Sequence, residues 1–354
     1  MFSGLTAGIT ERLAGLRAWL IPQIVYLAIS DECLLLMRVE RGSEGPASRF
    51  WSLPIPKGAC KEGVPMQKEA LGDLLSDWLL DQSVVGGILS VVLAENSCRW
   101  RLLEWGEGGV PEDPIDDLRE RMADLPLPDP IETVYIAAED VEPASASAAP
   151  CSLMVSAPRD LVTAWVEVAN FADLPLRRVE SPQMCQWRAV FTALDETADV
   201  RPSALLALLV PEGRDHRLTL FQRRLPEFEQ VITGYDADAA GERLTFVDDL
   251  EERVRRFQRY RRLSPDTTWC LVGTLAEDEA LQDELRQRHP DWSVWPWTPE
   301  RDWPGLLAEG MADPEEDEDR VESHEAIPDP AWKHPEQAPL LLRLAGLMAK
   351  EARP

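Results

Sequence analysis

Residues 24–37, with the sequence IVYLAISDECLLLM, decide the fold of this chain. Two apolar runs, 24–29 and 33–37, flank the polar tripeptide Ser30-Asp31-Glu32. Apolar runs rich in aliphatic and β-branched residues, separated by a short polar segment, are typical of a β-hairpin. The stretch therefore predicts a strand, a tight turn and a second strand that open a domain.

The residues at the hairpin turn argue against catalysis. A hairpin of this kind serves a nucleotide when its first strand ends in an acidic metal ligand and its turn is rich in glycine, because backbone N–H groups then reach phosphate. Here Ala28 and Ser30 occupy those places, and Asp31 and Glu32 lie at the tip. Two carboxylates at the tip repel a triphosphate unless a metal intervenes.

Composition limits the classes of partner. The chain has 354 residues, of which 45% are hydrophobic, so it can bury one large bilobed core or two ordinary cores. Its formal net charge of -27 argues against nucleic acid as a partner and against broad adhesion to an anionic membrane. The six cysteines have no paired spacing, which indicates reduced thiols in the cytoplasm.

The first twenty residues predict an amphipathic helix. Leu5, Ile9, Leu13, Leu16 and Leu20 recur at helical spacing, and no window of the chain approaches the roughly eighteen consecutive apolar residues that a spanning helix requires. Such a helix packs on its own domain, docks a partner or lies on a bilayer, and the pattern leaves these alternatives open.

Downstream, strands and helices alternate. The first part predicts strands at 47–54, 86–94, 99–105 and 133–138 and a helix at 66–80, with 99–105 expected beside 86–94. After a small-residue linker at 143–150, two βα units are predicted at 151–172 and 176–194. For a second lobe, the sequence predicts strands at 204–210, 217–223, 269–272 and 292–297 and helices at 244–263 and 278–289.

This succession resembles the family of type IV pilus assembly protein PilM, MshI and the cytoplasmic part of the secretion protein GspL, which are actin-like. The resemblance covers nearly the whole chain and rests on the order and spacing of elements. Its markers are the opening hairpin, Leu153-Met154-Val155-Ser156-Ala157 before a helix that ends near Ala172-Asp173-Leu174, the helix around Arg256-Phe257-Gln258-Arg259-Tyr260, Leu271-Val272-Gly273, and a last helix at 339–352.

The resemblance implies a degraded nucleotide site. Ala28 replaces the first acidic residue, Ser30 the glycine, and Leu35 falls near the usual lysine. In the second lobe, Leu208, Leu209, Val210 and Pro211 occupy the stretch where another acidic residue and a glycine would be expected. The glycine pair that is usual near the adenosine is reduced to Gly273-Thr274. Losing these elements together removes most of the electrostatic stabilisation on which phosphoryl transfer relies. The sequence thus favours a scaffold, as in the GspL branch.

Other chemistry has little support in the sequence. His216, His289, His324 and His334 lack metal-ligand spacing and are expected in solvated loops or helix ends. The arginine-rich helix at 244–263 either neutralises its own acidic neighbours or recognises carboxylates of a partner. The dense tryptophans, which are either core residues or interface residues, are Trp292, Trp295, Trp297 and Trp303.

We therefore expect a two-lobed α/β protein with the actin-like, ribonuclease H-like fold and mixed sheets flanked by helices. The predicted divisions are an amphipathic helix at 1–20, a first lobe at 21–200 with an inserted subdomain near 105–150, a second lobe at 201–300, an acidic disordered loop at 301–335, and a helix at 336–354 that returns to the first lobe.

By resemblance, the chain is a non-catalytic cytoplasmic scaffold at the inner membrane, beneath a type IV pilus or type II secretion-like machine. It would bind the cytoplasmic tail of a PilN-type membrane protein and link it to the assembly motor. We predict no catalytic, cofactor-binding or metal-binding residue. The alternatives are an actin-like ATPase or small-molecule kinase, in which Asp31 or Glu32 would hold Mg²⁺ for ATP, and a generic peptide-binding module.

Overall fold

The computed structural model describes residues 23–41, 46–84, 86–106, 109–120, 130–142, 149–196, 205–235, 240–303 and 334–352. The helix predicted at 1–20, most of the acidic loop predicted at 301–335, and His324 lie outside the described residues. Within the described part of the chain, none of the helices combines the length and hydropathy that a bilayer span requires.

The opening hairpin forms the centre of a five-stranded first sheet. Its strands are β1 (Ile24–Ile29), β2 (Cys33–Arg41), β3 (Pro46–Pro54), β6 (Ile88–Val92) and β10 (Leu176–Glu180), in the order β10-β6-β1-β2-β3. Strands β1, β2 and β3 are antiparallel, whereas β6 is parallel to both β1 and β10. β1 is buried on both faces, because helices cover each side of the sheet.

Four helices sandwich the first sheet. Val25, Leu27 and Ile29 pack towards α1 (Lys68–Asp81) and α3 (Arg159–Phe171). On the other face, Tyr26 and Ala28 pack towards α4 (Pro182–Glu196) and α9 (Ala338–Ala352). Because successive side chains of β1 point to opposite faces of the sheet, they belong to two separate cores. Strands β4 (Cys60–Lys61) and β5 (Val64–Pro65) form a small hairpin beside this unit.

A separate three-stranded sheet corrects one prediction. Its strands are β7 (Arg99–Glu104), β8 (Val134–Val141) and β9 (Cys151–Pro158), in the order β7-β9-β8. The short helix α2 (Pro114–Glu120) and a 3-10 turn at Ile131–Thr133 lie between β7 and β8 in the chain. The expected pairing of 99–105 with 86–94 is wrong, because β1 and β10 already occupy both edges of β6. The strand predicted at 151–157 and the helix after it are confirmed, but this strand pairs with β7 and β8 and not with the first sheet.

The second sheet repeats the strand order of the first. It contains β11 (Leu205–Glu212), β12 (Asp215–Gln222), β13 (Leu225–Thr233), β14 (Thr267–Leu271) and β15 (Trp292–Pro296), in the order β13-β12-β11-β14-β15. Its outer face packs on α5 (Ala240–Arg261) and α7 (Glu279–Arg288), and the short helices α6 (Thr274–Glu277) and α8 (Pro299–Asp302) follow β14 and β15. Two mixed sheets flanked by helices confirm the predicted fold class.

One core joins the two sheets through α4 and α9. Ala28 and Leu35 of the first sheet belong to the same apolar cluster as Leu208 and Phe221 of the second. At the contact of the two helices, a Cβ on Gly346 would lie 1.7 Å from the carbonyl oxygen of Cys185, so only glycine permits this approach. The C-terminal helix is therefore a central element of the molecule.

Several predicted surface or solvated residues are buried. Trp292, Trp295 and Trp297 are core residues, which favours the packing interpretation of the tryptophans. The prediction that His216 is solvated is wrong, because the residue lies on β12 with its ring against Phe246 and Tyr235. Five of the six cysteines are buried and all six are free thiols, as expected for a reduced protein.

Candidate functional site

The turn between β1 and β2 is closed by its own serine. The hydroxyl oxygen of Ser30 accepts a hydrogen bond from the Cys33 backbone N–H at 3.0 Å and donates to the Cys33 carbonyl at 3.0 Å. The Ser30 N–H also donates to that carbonyl. In a glycine-rich turn, such a backbone N–H group would be offered to phosphate. Here the Ser30 hydroxyl accepts it, so the polar groups of the turn are bonded within the turn.

Asp31 is a structural acceptor. Its two carboxylate oxygens accept hydrogen bonds from the backbone N–H groups of Glu62, at 2.8 Å, and Gly63, at 2.7 Å. These bonds tie the β1–β2 turn to the small hairpin of β4 and β5. The neighbouring Glu32 is exposed. The alternative in which Asp31 holds Mg²⁺ would require it to exchange these backbone partners for a metal.

The other positions of the implied nucleotide site are apolar and packed. Ala28, Leu35, Leu208 and Val210 all lie in the core that joins the two sheets. Gly273 has φ 64°, and a Cβ there would come within 2.8 Å of the Pro335 carbonyl. The segment before α9 therefore lies against the place where a nucleotide base would be expected.

Charged side chains of both sheets meet near the carboxyl ends of β6 and β11. Arg217 donates to both carboxylate oxygens of Glu212 at 2.9 Å and to Glu229 at 2.7 Å. The same guanidinium donates to the side-chain oxygen of Asn96, which follows β6 in the first sheet. One buried arginine thus connects the second sheet to the first.

A second ion pair lies beside it. Arg343 of α9 pairs with Glu95 at 2.9 Å and donates to the carbonyl of Ile29 at 3.3 Å, and the Gln186 amide donates to Glu95 at 2.6 Å. We call these residues the intersheet cluster: Glu95, Asn96, Gln186, Glu212, Arg217, Glu229 and Arg343. Carboxyl ends of parallel strands are where α/β proteins bind ligands, and here the chain's own charges occupy that place.

The electrostatics of the intersheet cluster oppose an added anion. Burial raises the pKa of Glu212, and Arg217 offsets only part of that effect. Burial alone would lower the pKa of Arg217, but Glu229 and Glu212 outweigh it and keep the guanidinium charged. Both arginines already have carboxylate partners. A triphosphate would have to displace those carboxylates or lie beside them.

A groove between the three-stranded sheet and the first lobe is lined mainly by apolar side chains. It has a volume of about 730 Å³, and its walls come from β8, β9, β10, α3 and α4. Tyr135 and Ala137 of β8 form one side, and Val179 and Met184 form the other. Cys98 lies in the wall, where burial raises its pKa to about 12, so it is a neutral thiol.

The groove has an edge strand on one side and cations at its rim. Within the described residues, β8 pairs only with β9, which leaves its other edge available for a further strand. Glu180 accepts a hydrogen bond from Lys350 at 2.8 Å and lies 3.4 Å from Arg188, both of which line the groove. A free strand edge beside an apolar groove is the arrangement to which extended peptides add as a further strand.

The sequence did not identify the residues of these two sites. The intersheet cluster combines charged residues up to 248 positions apart, from Glu95 to Arg343. A faint signal exists, because Arg343 interrupts the apolar helix α9 and Arg217 directly precedes the apolar residues of β12. For the groove, no motif marks β8 or its neighbours. Among the described residues, no group of three metal-binding side chains is found.

Comparisons with known proteins agree on the fold. No protein-family model matches the chain, and no curated protein matches it. A chain of the PilM-PilN type IV pilus biogenesis complex superposes with a TM-score of 0.62 at 18% sequence identity, over 94% of this chain and 99% of that chain.

Two further solved structures are more distant. A Bacteroides thetaiotaomicron protein of actin-like ATPase fold and unknown function gives a TM-score of 0.45 at 9% identity, over 77% of this chain and 90% of that one. The cytoplasmic domain of EpsL, an inner-membrane component of the type II secretion system of Vibrio cholerae, gives a TM-score of 0.40 at 11% identity. That match covers 93% of this chain and 95% of the EpsL chain. This chain therefore has the actin-like fold of the matched chain in the PilM-PilN complex, as its sequence resemblance predicted.

Proposed function

We propose that this protein is a non-catalytic scaffold at the cytoplasmic side of an inner-membrane assembly platform, of the type IV pilus or type II secretion kind. It binds the cytoplasmic tail of a PilN-type membrane protein and links it to the assembly motor. The observation that carries the non-catalytic part is the intersheet cluster. Its own carboxylates, Glu95 and Glu212, and its paired arginines, Arg217 and Arg343, lie near the carboxyl ends of β6 and β11, where a ligand of an α/β protein would be expected.

The similarity in fold to a chain of a PilM-PilN complex supports the choice of partner. The groove along β8 supplies a place for such a tail. An extended tail would add a strand to β8 and direct alternate apolar side chains towards Val179 and Met184. Lys350 and Arg188 at the rim are already paired with Glu180, so the apolar walls and the free strand edge would provide the binding.

Titration with Mg²⁺-ATP tests the non-catalytic part. We expect no change in melting temperature at millimolar nucleotide, because even weak binding to the folded state would raise it. An unrelated ATPase in the same assay serves as the positive control. A Mg²⁺-dependent increase in melting temperature would contradict the proposal and favour the altered-ligand ATPase.

Binding of a synthetic peptide tests the groove. The peptide has the sequence of the cytoplasmic tail of the PilN-type protein encoded by the same organism. Ala137 is exposed on β8, and Ala137→Arg would place a long charged side chain in the groove. We expect this variant to weaken peptide binding about tenfold or more. The matched control is Ala280→Arg on the exposed face of α7, which should bind like the wild type. Equal binding by both variants would exclude the groove, and no binding by the wild type would exclude the tail.

A further inference from the structure

The arginines of α5 fall into two groups. Arg253 pairs with Asp249 at 2.9 Å, Arg255 pairs with Glu251 at 2.8 Å, and Arg261 pairs with Glu227 of β13. For these three, the interpretation that the helix neutralises its own acidic neighbours is correct. They are bound to this chain's own carboxylates and are not available as a group to a partner.

The second group has no such partner. Arg256, Arg259 and Arg262 are exposed, and none of them forms an ion pair with a carboxylate in the described part of the chain. Acidic residues outnumber basic ones in this protein by 63 to 36. Three neighbouring guanidinium groups without an ion-pair partner are therefore unusual here, because carboxylates are abundant in this chain.

Two of these arginines line a concave surface, and an exposed tyrosine lies on the same stretch of chain. Arg259 and Arg262 line a shallow depression of about 640 Å³ together with Gln258, Leu263 and Pro265. Tyr260 lies next to Arg259 and one helical turn from Arg256, and its side chain is 79% exposed. Arginine and tyrosine are the residue types enriched at the energetic centres of protein interfaces.

The helix dipole explains part of this arrangement. The negative C-terminal end of α5 attracts cations in its last turn. That attraction does not require three arginines together, nor an exposed tyrosine between them. It is also satisfied by Arg261, which has its own carboxylate partner.

A flat anionic membrane fits this surface poorly. Asp248, Glu251 and Glu252 line the other end of the same depression and would face the lipid headgroups. The net charge of -27 adds a general repulsion. A narrow acidic chain segment avoids both costs, since it can contact the arginine end alone, and carboxylates suit the planar guanidinium fork.

We propose that the arginine surface, which consists of Arg256, Arg259, Tyr260 and Arg262, is a docking site for an acidic, extended segment of a partner protein. The guanidinium groups bind its carboxylates, and Tyr260 packs against its backbone or an apolar side chain. This site lies on α5, whereas the proposed tail groove is lined by β8, β9, β10, α3 and α4. It therefore provides a second attachment point for the scaffold.

Binding of a fluorescein-labelled hexaglutamate peptide at an ionic strength of about 0.01 M tests this proposal. The test variant is Arg256→Gln/Arg259→Gln/Arg262→Gln, because glutamine keeps helix propensity close to that of arginine. The control is Arg177→Gln/Arg214→Gln/Arg286→Gln, which removes the same charge from exposed positions outside α5. We expect about tenfold weaker binding for the test variant and less than about twofold for the control.

Three results would overturn the proposal. Equal loss in both triple variants, or no binding by the wild type, would mean that the arginines act only through net charge or not at all. Binding to phosphatidylglycerol vesicles that depends on the three arginines, without binding to hexaglutamate, would assign the surface to lipid instead. Folding of both variants is checked by their melting temperatures, which should stay close to that of the wild type.

Discussion

At the scale of single residues, His216 shows how burial changes the chemistry of a side chain. The residue lies on β12, and its ring contacts Phe246 and Tyr235, which also pack against each other. Burial lowers its pKa below the ordinary value of 6.5, and the backbone and carboxylate of Asp215 offset only part of this change. In the folded protein, the neutral ring is therefore favoured.

This lowered pKa predicts a loss of stability in mild acid. Below about pH 6.5 the unfolded chain binds a proton at His216 that the folded chain resists, so stability falls as the pH decreases towards the lowered pKa. We expect His216→Phe to flatten the decrease in melting temperature between about pH 7 and pH 5.5. The exposed His334 provides the control, since His334→Gln should leave the slope unchanged. A slope that is the same in all three proteins would contradict the prediction.

Residue roles were predictable only where the neighbours in sequence determine them. Ser30 closes its turn through a contact three residues away, and the turn was predicted correctly. The partners of Asp31 lie at Glu62 and Gly63, and those of Arg217 lie on three different segments. A pattern of types and spacings contains no information about such distant contacts, so these roles required the structure.

At the scale of elements, the contact between α4 and α9 depends on Gly346. Because a Cβ there would overlap the backbone of Cys185, Gly346→Ala must push the two helices apart. We expect a destabilisation of about 2–3 kcal/mol or more, measured by chemical denaturation. Gly241 in α5 has no atom within 4 Å of an added Cβ, so Gly241→Ala should be neutral or slightly stabilising. Similar effects for both variants would contradict the close approach.

Element type was easier to predict than element pairing. The strand at Arg99–Glu104 was recognised, but its neighbour was not. Adjacent strands in sequence often pair, and that tendency favoured β6. The edges of β6 were taken by strands from 24–29 and 176–180, which the local pattern could not reveal. Topology here depends on competition among strands for a limited number of edges.

At the scale of the whole molecule, the intersheet cluster couples the two halves of the chain. Arg217→Met would leave Glu212 and Glu229 buried without their counterion, and breaking such a pair typically costs about 3–5 kcal/mol. We expect a large decrease in melting temperature at pH 7.5. The deficit should shrink towards pH 5, because burial raises the pKa of Glu212, so this carboxyl becomes neutral there and the cost of burying its charge is lost.

An exposed arginine gives the comparison for this experiment. Arg286 pairs with Asp283 on the surface of α7, and Arg286→Met should cost less than about 1 kcal/mol at either pH. A deficit for Arg217→Met that stays constant with pH would show that Arg217 acts through packing alone. Loss of the cluster should also make the two sheets melt in separate transitions in calorimetry.

The overall fold was predictable because two long βα successions repeat one plan. Each sheet has three antiparallel strands from consecutive segments followed by two parallel strands, and the burial of β1 and β11 on both faces was visible as uninterrupted apolar sequence. The order of elements therefore carried the resemblance, even where the residues of the nucleotide site had changed. The partner surfaces have no comparable repeat and remained hidden in the sequence.

The separate three-stranded sheet has a consequence for how such proteins diversify. Residues 99–158 supply all three of its strands, and no strand of the first sheet depends on them for pairing. Recombination between homologous genes could exchange this stretch as a single cassette. One wall of the groove would then change while the opposite wall, built from β10 and α4, stayed constant. A lineage could acquire a new binding partner for the groove in one genetic step while the two large sheets stayed unchanged.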